Sequence, residues 1–161
     1  DVDRMIAIIG SMTRKERPAA RRRRAKRAGP TRSMLSAMAA LAREARERAH
    51  APYSRFKVGA ALKTRTGEIV TGCNIENASY GLSMCAERVA VFKAVSEGLD
   101  DFDVVAVVAD SKRITPPCGP CRQILWEYCG DVLVHMVDLK GRSRTMRLSE
   151  LLPMPFDGGH L

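Results

Sequence analysis

The spacing of apolar positions between residues 33 and 152 changes several times, and each change marks an element. Ser33 to Ala49 sets Met34, Met38, Leu41, Ala45 and Ala49 on one helical face, and His50-Ala51-Pro52 ends the run. Phe56 to Leu62 and Glu68 to Cys73 read as strands around the turn Thr64-Arg65-Thr66-Gly67, hence a hairpin. Cys85 to Glu97 reads as a helix closed by Gly98. Asp103 to Ala109 is a nearly continuous Val/Ala run, the mark of a central buried strand. Gly119 to Cys129 is a further helix, closed by Gly130. Val132 to Val137 and Arg144 to Leu148 are strands around Asp138-Leu139-Lys140-Gly141, and Ser149 to Leu152 begins a short final helix before Pro153. This order predicts an α/β fold: a three-layer α-β-α sandwich with a five-stranded mixed sheet. The last connection is too short for a parallel crossover, so the last two strands should form an antiparallel hairpin.

Charge divides the chain where the pattern does not. Residues 1–32 hold eleven Lys or Arg against three acids, a net +8, whereas the remaining residues sum to +1. We read 1–32 as a basic, disordered N-terminal extension and 33–161 as the catalytic domain. A nucleic-acid-binding arm, an Arg-rich targeting segment and an upstream extension outside the working protein are the alternatives for the tail, and Met34 offers another start. Nucleic acid is expected as a partner only through this tail. No apolar run approaches the roughly 20 residues that span a membrane, and Met5 to Ile9 precedes the positive charges, the wrong order for a secretory signal. We therefore expect a cytoplasmic protein with no membrane partner.

The five cysteines are an odd number and follow no secretory signal, which argues against a disulfide framework. Cys85 is followed by Glu87, and Cys118 and Cys121 form a Cys-x-x-Cys at the start of the next predicted helix. Three thiolates suit a catalytic zinc, because they leave the fourth tetrahedral position open, and Glu87 is placed to carry a proton without ligating. One zinc per chain is expected. Three thiolates leave zinc a net −1, which two helix N-termini and Arg88 offset; Arg88 is assigned to a hydrogen bond with a thiolate sulfur. A structural zinc would want a fourth ligand, and His50, His135 and His160 lie outside the motifs. Cys73 and Cys129 read as small buried hydrophobes.

Several motifs in order carry a family resemblance. Ala51-Pro52-Tyr53-Ser54-Arg55-Phe56-Lys57-Val58-Gly59-Ala60-Ala61-Leu62, Gly72 to Gly81, Cys85-Ala86-Glu87-Arg88, Pro117 to Gln123, and Leu151-Leu152-Pro153 with Phe156 are together similar to the small homotetrameric cytidine deaminases, whose zinc is held by three cysteines. The resemblance covers roughly 33–156 and not the tail. It implies that Asn74 and Glu76 bond the ribose hydroxyls and that Phe56 packs near ribose and base, with Tyr80 in the same nucleoside-binding segment. It further implies that the Ala86 N–H meets the pyrimidine carbonyl, that Glu87 serves N3 and shuttles protons, and that Phe156 enters a neighbour's site in a homo-oligomer, a tetramer. The implied reaction is zinc-dependent hydrolysis of cytidine and deoxycytidine to uridine and deoxyuridine plus ammonia, in pyrimidine salvage. The competing readings are a deaminase of a modified cytosine nucleoside or of a polynucleotide, and a nucleic-acid-binding module with a structural zinc.

Overall fold

The computed structural model describes residues 29–160, so the residues of the basic tail up to 28 lie outside it. Helix α1 (Arg32–Glu47) is followed by β1 (Val58–Thr64), β2 (Ile69–Cys73), α2 (Ala86–Ser96), β3 (Phe102–Ala109), α3 (Gly119–Cys129), β4 (Leu133–Asp138), β5 (Ser143–Arg147) and α4 (Leu148–Leu151). The five strands form one sheet in the order β2-β1-β3-β4-β5. β3 and β4 are parallel, joined across α3, and the other neighbours are antiparallel, the final pair included.

Alternation along the strands separates two apolar layers. Ala60, Leu62, Val105, Val107, Val134 and Met136 face α2 and α3, whereas Ala61, Ala106 and Val108 face Met38 and Ala42 of α1. This is the three-layer sandwich expected from the pattern. β3 is buried from Val104 to Ala109, which explains its unbroken apolar run.

Two glycines set how closely the layers meet. A Cβ on Gly59 would lie 2.0 Å from the Ala42 carbonyl oxygen, and one on Gly72 would lie 2.5 Å from both the Ala86 carbonyl oxygen and the Ala90 nitrogen. α1 and α2 therefore rest directly on strand backbone, on opposite faces of the sheet.

Several boundaries differ from the sequence expectation, for local reasons. α1 begins at Arg32, inside the span assigned to the tail, because the Thr31 hydroxyl accepts the Met34 N–H at 3.2 Å as an N-cap. A chain starting at Met34 would lose that cap. β1 begins at Val58 rather than Phe56, because the Asn74 amide takes the hydrogen bonds there, accepting from Val58 N at 2.7 Å and donating to Phe56 O at 2.8 Å. It runs on to Thr64 through a register shift at Lys63/Thr64.

Candidate metal centre and nucleoside site

Two helix starts converge at the carboxyl end of β3. Cys85 is the N-cap of α2 and Cys118 the N-cap of α3, with Cys121 buried one turn into α3. Neither cap side chain bonds its own helix, so both sulfurs are left for each other and for a metal. Cys85 Sγ lies 3.8 Å from Cys118 Sγ, and Cys118 Sγ lies 3.4 Å from Cys121 Sγ. A tetrahedral zinc with bonds of about 2.3 Å would hold its sulfurs about 3.8 Å apart, so the three fit that ion. Among the described residues no other His, Cys, Asp or Glu joins the cluster, which leaves a fourth position free of protein.

The electrostatics favour a thiolate at Cys85. Cys85 is held down to about 5, first by its hydrogen bond with Cys121 and then by Arg88, against burial. Cys121 is pushed up by that same bond, by burial and by the charge of Glu87. Helix N-termini add partial positive charge at both caps. Arg88 Nη2 donates to Ser83 O at 3.1 Å and faces Cys85 Sγ at 3.7 Å, while Arg88 Nε is buried and finds no acceptor among the described residues. Glu87 is only 4% exposed; burial pushes its carboxyl up to about 7, and the neighbouring Cys85 charge adds to the rise.

A second segment is stitched beside this centre. Ile75 and Met84 exchange backbone hydrogen bonds of 2.9 and 2.8 Å, which runs the segment holding Asn74 and Glu76 alongside the one that leads into Cys85. The Glu76 carboxylate accepts from Tyr53 N at 3.0 Å, from Ser54 N at 3.2 Å and from the Ser54 hydroxyl, and the last of these does most to lower its pKa. Nothing in the pattern singled out Ser54, which orients this carboxylate. Tyr80 is 75% exposed and meets Tyr53 edge-on at 6.1 Å, and Phe56 is partly exposed. Ala86 is buried in the first turn of α2.

Phe156 lies beyond the last strand, exposed and stacked on His160 at 5.2 Å, with its carbonyl held by Gln123 Nε2 at 2.6 Å. Gln123 follows Cys121 by two residues, so the C-terminal segment is tied to the helix that carries two thiols. The remaining candidates sit elsewhere. His135 bonds the Thr145 hydroxyl at 2.8 Å on the α1 side of the sheet, and burial pushes the Cys129 thiol up to about 12.

Comparison with known proteins agrees with this centre. The family described as the cytidine and deoxycytidylate deaminase zinc-binding region matches residues 32–136. A cytidine deaminase from Halalkalibacterium halodurans is 55% identical over 114 residues, covering 70% of this chain and 86% of that protein. A cytidine deaminase from Mycobacterium tuberculosis is 45% identical over 108 residues, covering 67% of this chain and 78% of that protein. The crystal structure of a cytidine deaminase from Burkholderia pseudomallei superposes with a TM-score of 0.74 at 44% identity, covering 75% of this chain and 98% of that one. The centre is thus a zinc-binding site on a deaminase fold. This chain belongs to the cytidine deaminase family.

Proposed function

We propose that the chain hydrolyses cytidine and deoxycytidine to uridine and deoxyuridine, releasing ammonia. The observation that carries this is a buried carboxyl, Glu87, against three sulfurs that fit zinc with one position to spare. Zinc, held by Cys85, Cys118 and Cys121, supplies the Lewis acidity that makes water nucleophilic near neutral pH. Glu87 takes a proton from the attacking water as the new C4–O bond forms, and places it on N3. It then delivers a proton to the exocyclic nitrogen, so that the C4–N bond breaks and ammonia departs. A carboxyl whose proton affinity is raised by burial suits both halves of that exchange.

The binding roles follow from free hydrogen-bonding capacity. The Ala86 N–H lies in the first turn of α2, where no intrahelical acceptor claims it, and it meets the pyrimidine carbonyl. Asn74 keeps a second amide N–H beyond the one given to Phe56 O. Glu76 keeps lone-pair capacity beyond its three donors. Those two side chains bind the ribose hydroxyls, with Phe56 and Tyr80 flanking the sugar and base. Arg88 steadies Cys85 and offsets the net negative centre. The enzyme works in pyrimidine salvage in the cytoplasm. No helix among the described residues is long and apolar enough to cross a membrane. Residues 1–32 are not needed for the chemistry.

The working form is a homotetramer in which Phe156 closes a neighbour's site. The support is an exposed aromatic on a segment anchored to α3 by Gln123. Ultraviolet detection of cytidine-to-uridine conversion tests the activity; a zinc-loaded protein that releases no ammonia from cytidine would refute it. Mixing Phe156→Ala with Glu87→Ala chains tests the shared site, since some reassembled sites would hold both intact residues. A monomer with full activity by light scattering refutes that part.

A further inference from the structure

The near-neutral sum over the body conceals two charged ends. β3 and β4 finish together at Ala109 and Asp138, and beyond them project the 110–118 loop and the 139–142 turn. Lys112, Arg113, Lys140 and Arg142 stand on these two loops, with Arg144 just inside β5; all five are exposed, beside one exposed carboxylate, Asp110. The opposite end of the sheet gathers Glu68, Asp101, Asp103, Asp131 and Glu150.

The two ends differ in whether their charges already have partners. Asp101 pairs with Arg65 at 2.6 Å and Asp103 with Lys63 at 3.3 Å. Glu150 accepts Arg147 N at 2.6 Å, Asp131 accepts Ser149 N at 2.9 Å, and Glu68 accepts the Thr64 and Thr66 hydroxyls. At the acidic end two of the five carboxylates are ion-paired and the other three accept hydrogen bonds from neutral donors. At the basic end Arg142 is paired, with Asp138, but no carboxylate pairs with Lys112, Arg113, Lys140 or Arg144 among the described residues.

The frame under these cations is fastened. Arg142 Nη2 donates to Ser111 O at 3.4 Å and Lys112 O at 3.1 Å, locking the turn to the loop. Asp138 accepts Lys140 N at 2.9 Å and Arg142 N at 2.8 Å, and Arg43 Nη2 holds Leu139 O at 3.3 Å. A frame fixed in this way lowers the cost of ordering the backbone when an anion is bound, and leaves the side chains of the four cations to be ordered.

We propose that this end of the molecule is a docking surface for single-stranded nucleic acid, held through its phosphates by Lys112, Arg113, Lys140 and Arg144. A second copy of the chain is a poorer occupant, because two carboxylates of its acidic end, Asp101 and Asp103, are already ion-paired with Arg65 and Lys63. A lipid surface calls for apolar anchors beside the cations, and the apolar residues of the same loops, Ile114 and Leu139, are half-buried. A phosphodiester strand presents a row of unpaired charges and needs no more than such contacts. The 110–118 loop ends at Cys118, so the strand would lie at the same end as the metal centre.

The test is fluorescence anisotropy of labelled oligothymidylate with the full chain, across a series of salt concentrations. Each phosphate contact to a single strand contributes about 0.7 to the slope of log affinity against log salt. The Lys112→Glu, Arg113→Glu, Lys140→Glu, Arg144→Glu quadruple variant should therefore lower the slope by about 2.8, with zinc content and cytidine turnover unchanged. Replacing Arg21, Arg22, Arg23 and Arg24 by Gln removes four of the eleven cations in residues 1–32 and should leave that difference intact. A quadruple variant with the slope of the parent would assign all binding to the tail and overturn the proposal. If the quadruple variant fails to fold, Lys112→Glu and Lys140→Glu singly should each lower the slope by about 0.7, and no change in either overturns it.

Discussion

Replacing Gly72 by Ala should damage the metal centre without touching any of its ligands. The added Cβ would stand 2.5 Å from the Ala86 carbonyl oxygen and the Ala90 nitrogen, both backbone atoms of α2. Ordinary contact begins at 3.4 Å, so α2 must lift by about 0.9 Å. Cys85 caps that helix and Glu87 lies in its first turn, so both move relative to Cys118 and Cys121, which ride on α3. Overpacking of this kind costs about 1–3 kcal/mol of stability, and a displacement of about 1 Å at a reacting centre can cost about 10²-fold in rate. Gly59→Ala is the control. It forces an even closer clash, 2.0 Å from the Ala42 oxygen, but against α1 on the other face. Thermal melts, zinc affinity by chelator competition and kcat on cytidine separate the two. Both variants should melt lower, whereas Gly72→Ala alone should weaken zinc binding and turnover. Equal zinc affinity and kcat in Gly72→Ala and the parent would refute the link from sheet to site.

Glu87→Gln should keep zinc and fold but lower kcat by about 10²–10⁴, read by ammonia release alongside metal analysis. Cys118→Ala should lose zinc, activity and thermal stability together, and a fully zinc-loaded variant would contradict the ligand set. Burial depresses the pKa of His135, so the unfolded chain binds its proton more readily. Stability should therefore fall as pH drops below about 6.5, and His135→Gln should flatten that fall in denaturant melts. Glu76→Gln should raise KM for cytidine and should also loosen the 53–56 segment, visible as faster amide exchange at Tyr53 and Ser54, whose N–H groups it now accepts.

How much of this was legible in the sequence depended on whether a property is local. Cys85, Cys118 and Cys121 were readable because helix-start spacing and ligand chemistry are both short-range. The antiparallel β4–β5 pair followed from the length of one turn. Asn74 and Glu76 came from the family resemblance alone, and the bonds between Asn74 and Phe56 and Val58, and from Ser54 to Glu76, depend on a loop meeting a strand and left no mark in the pattern. Gly59 and Gly72 looked like ordinary strand residues, since only the docked helices reveal why a side chain is excluded. Charge was misleading for the same reason. A net +1 over the body is a sum, and a sum cannot record that Lys140 and Asp131 lie at opposite ends of the same strand.

The sulfur cluster joins positions 33 residues apart in the chain, at the starts of α2 and α3. A metal held there acts as a cross-link as well as a reagent. Closing a loop of that length restricts the unfolded chain by roughly 3–4 kcal/mol in the entropic treatment used for disulfides. Cys85 and Cys118 flank β3 in the chain, so a metal held there fastens the starts of α2 and α3 to each other at one end of the sheet.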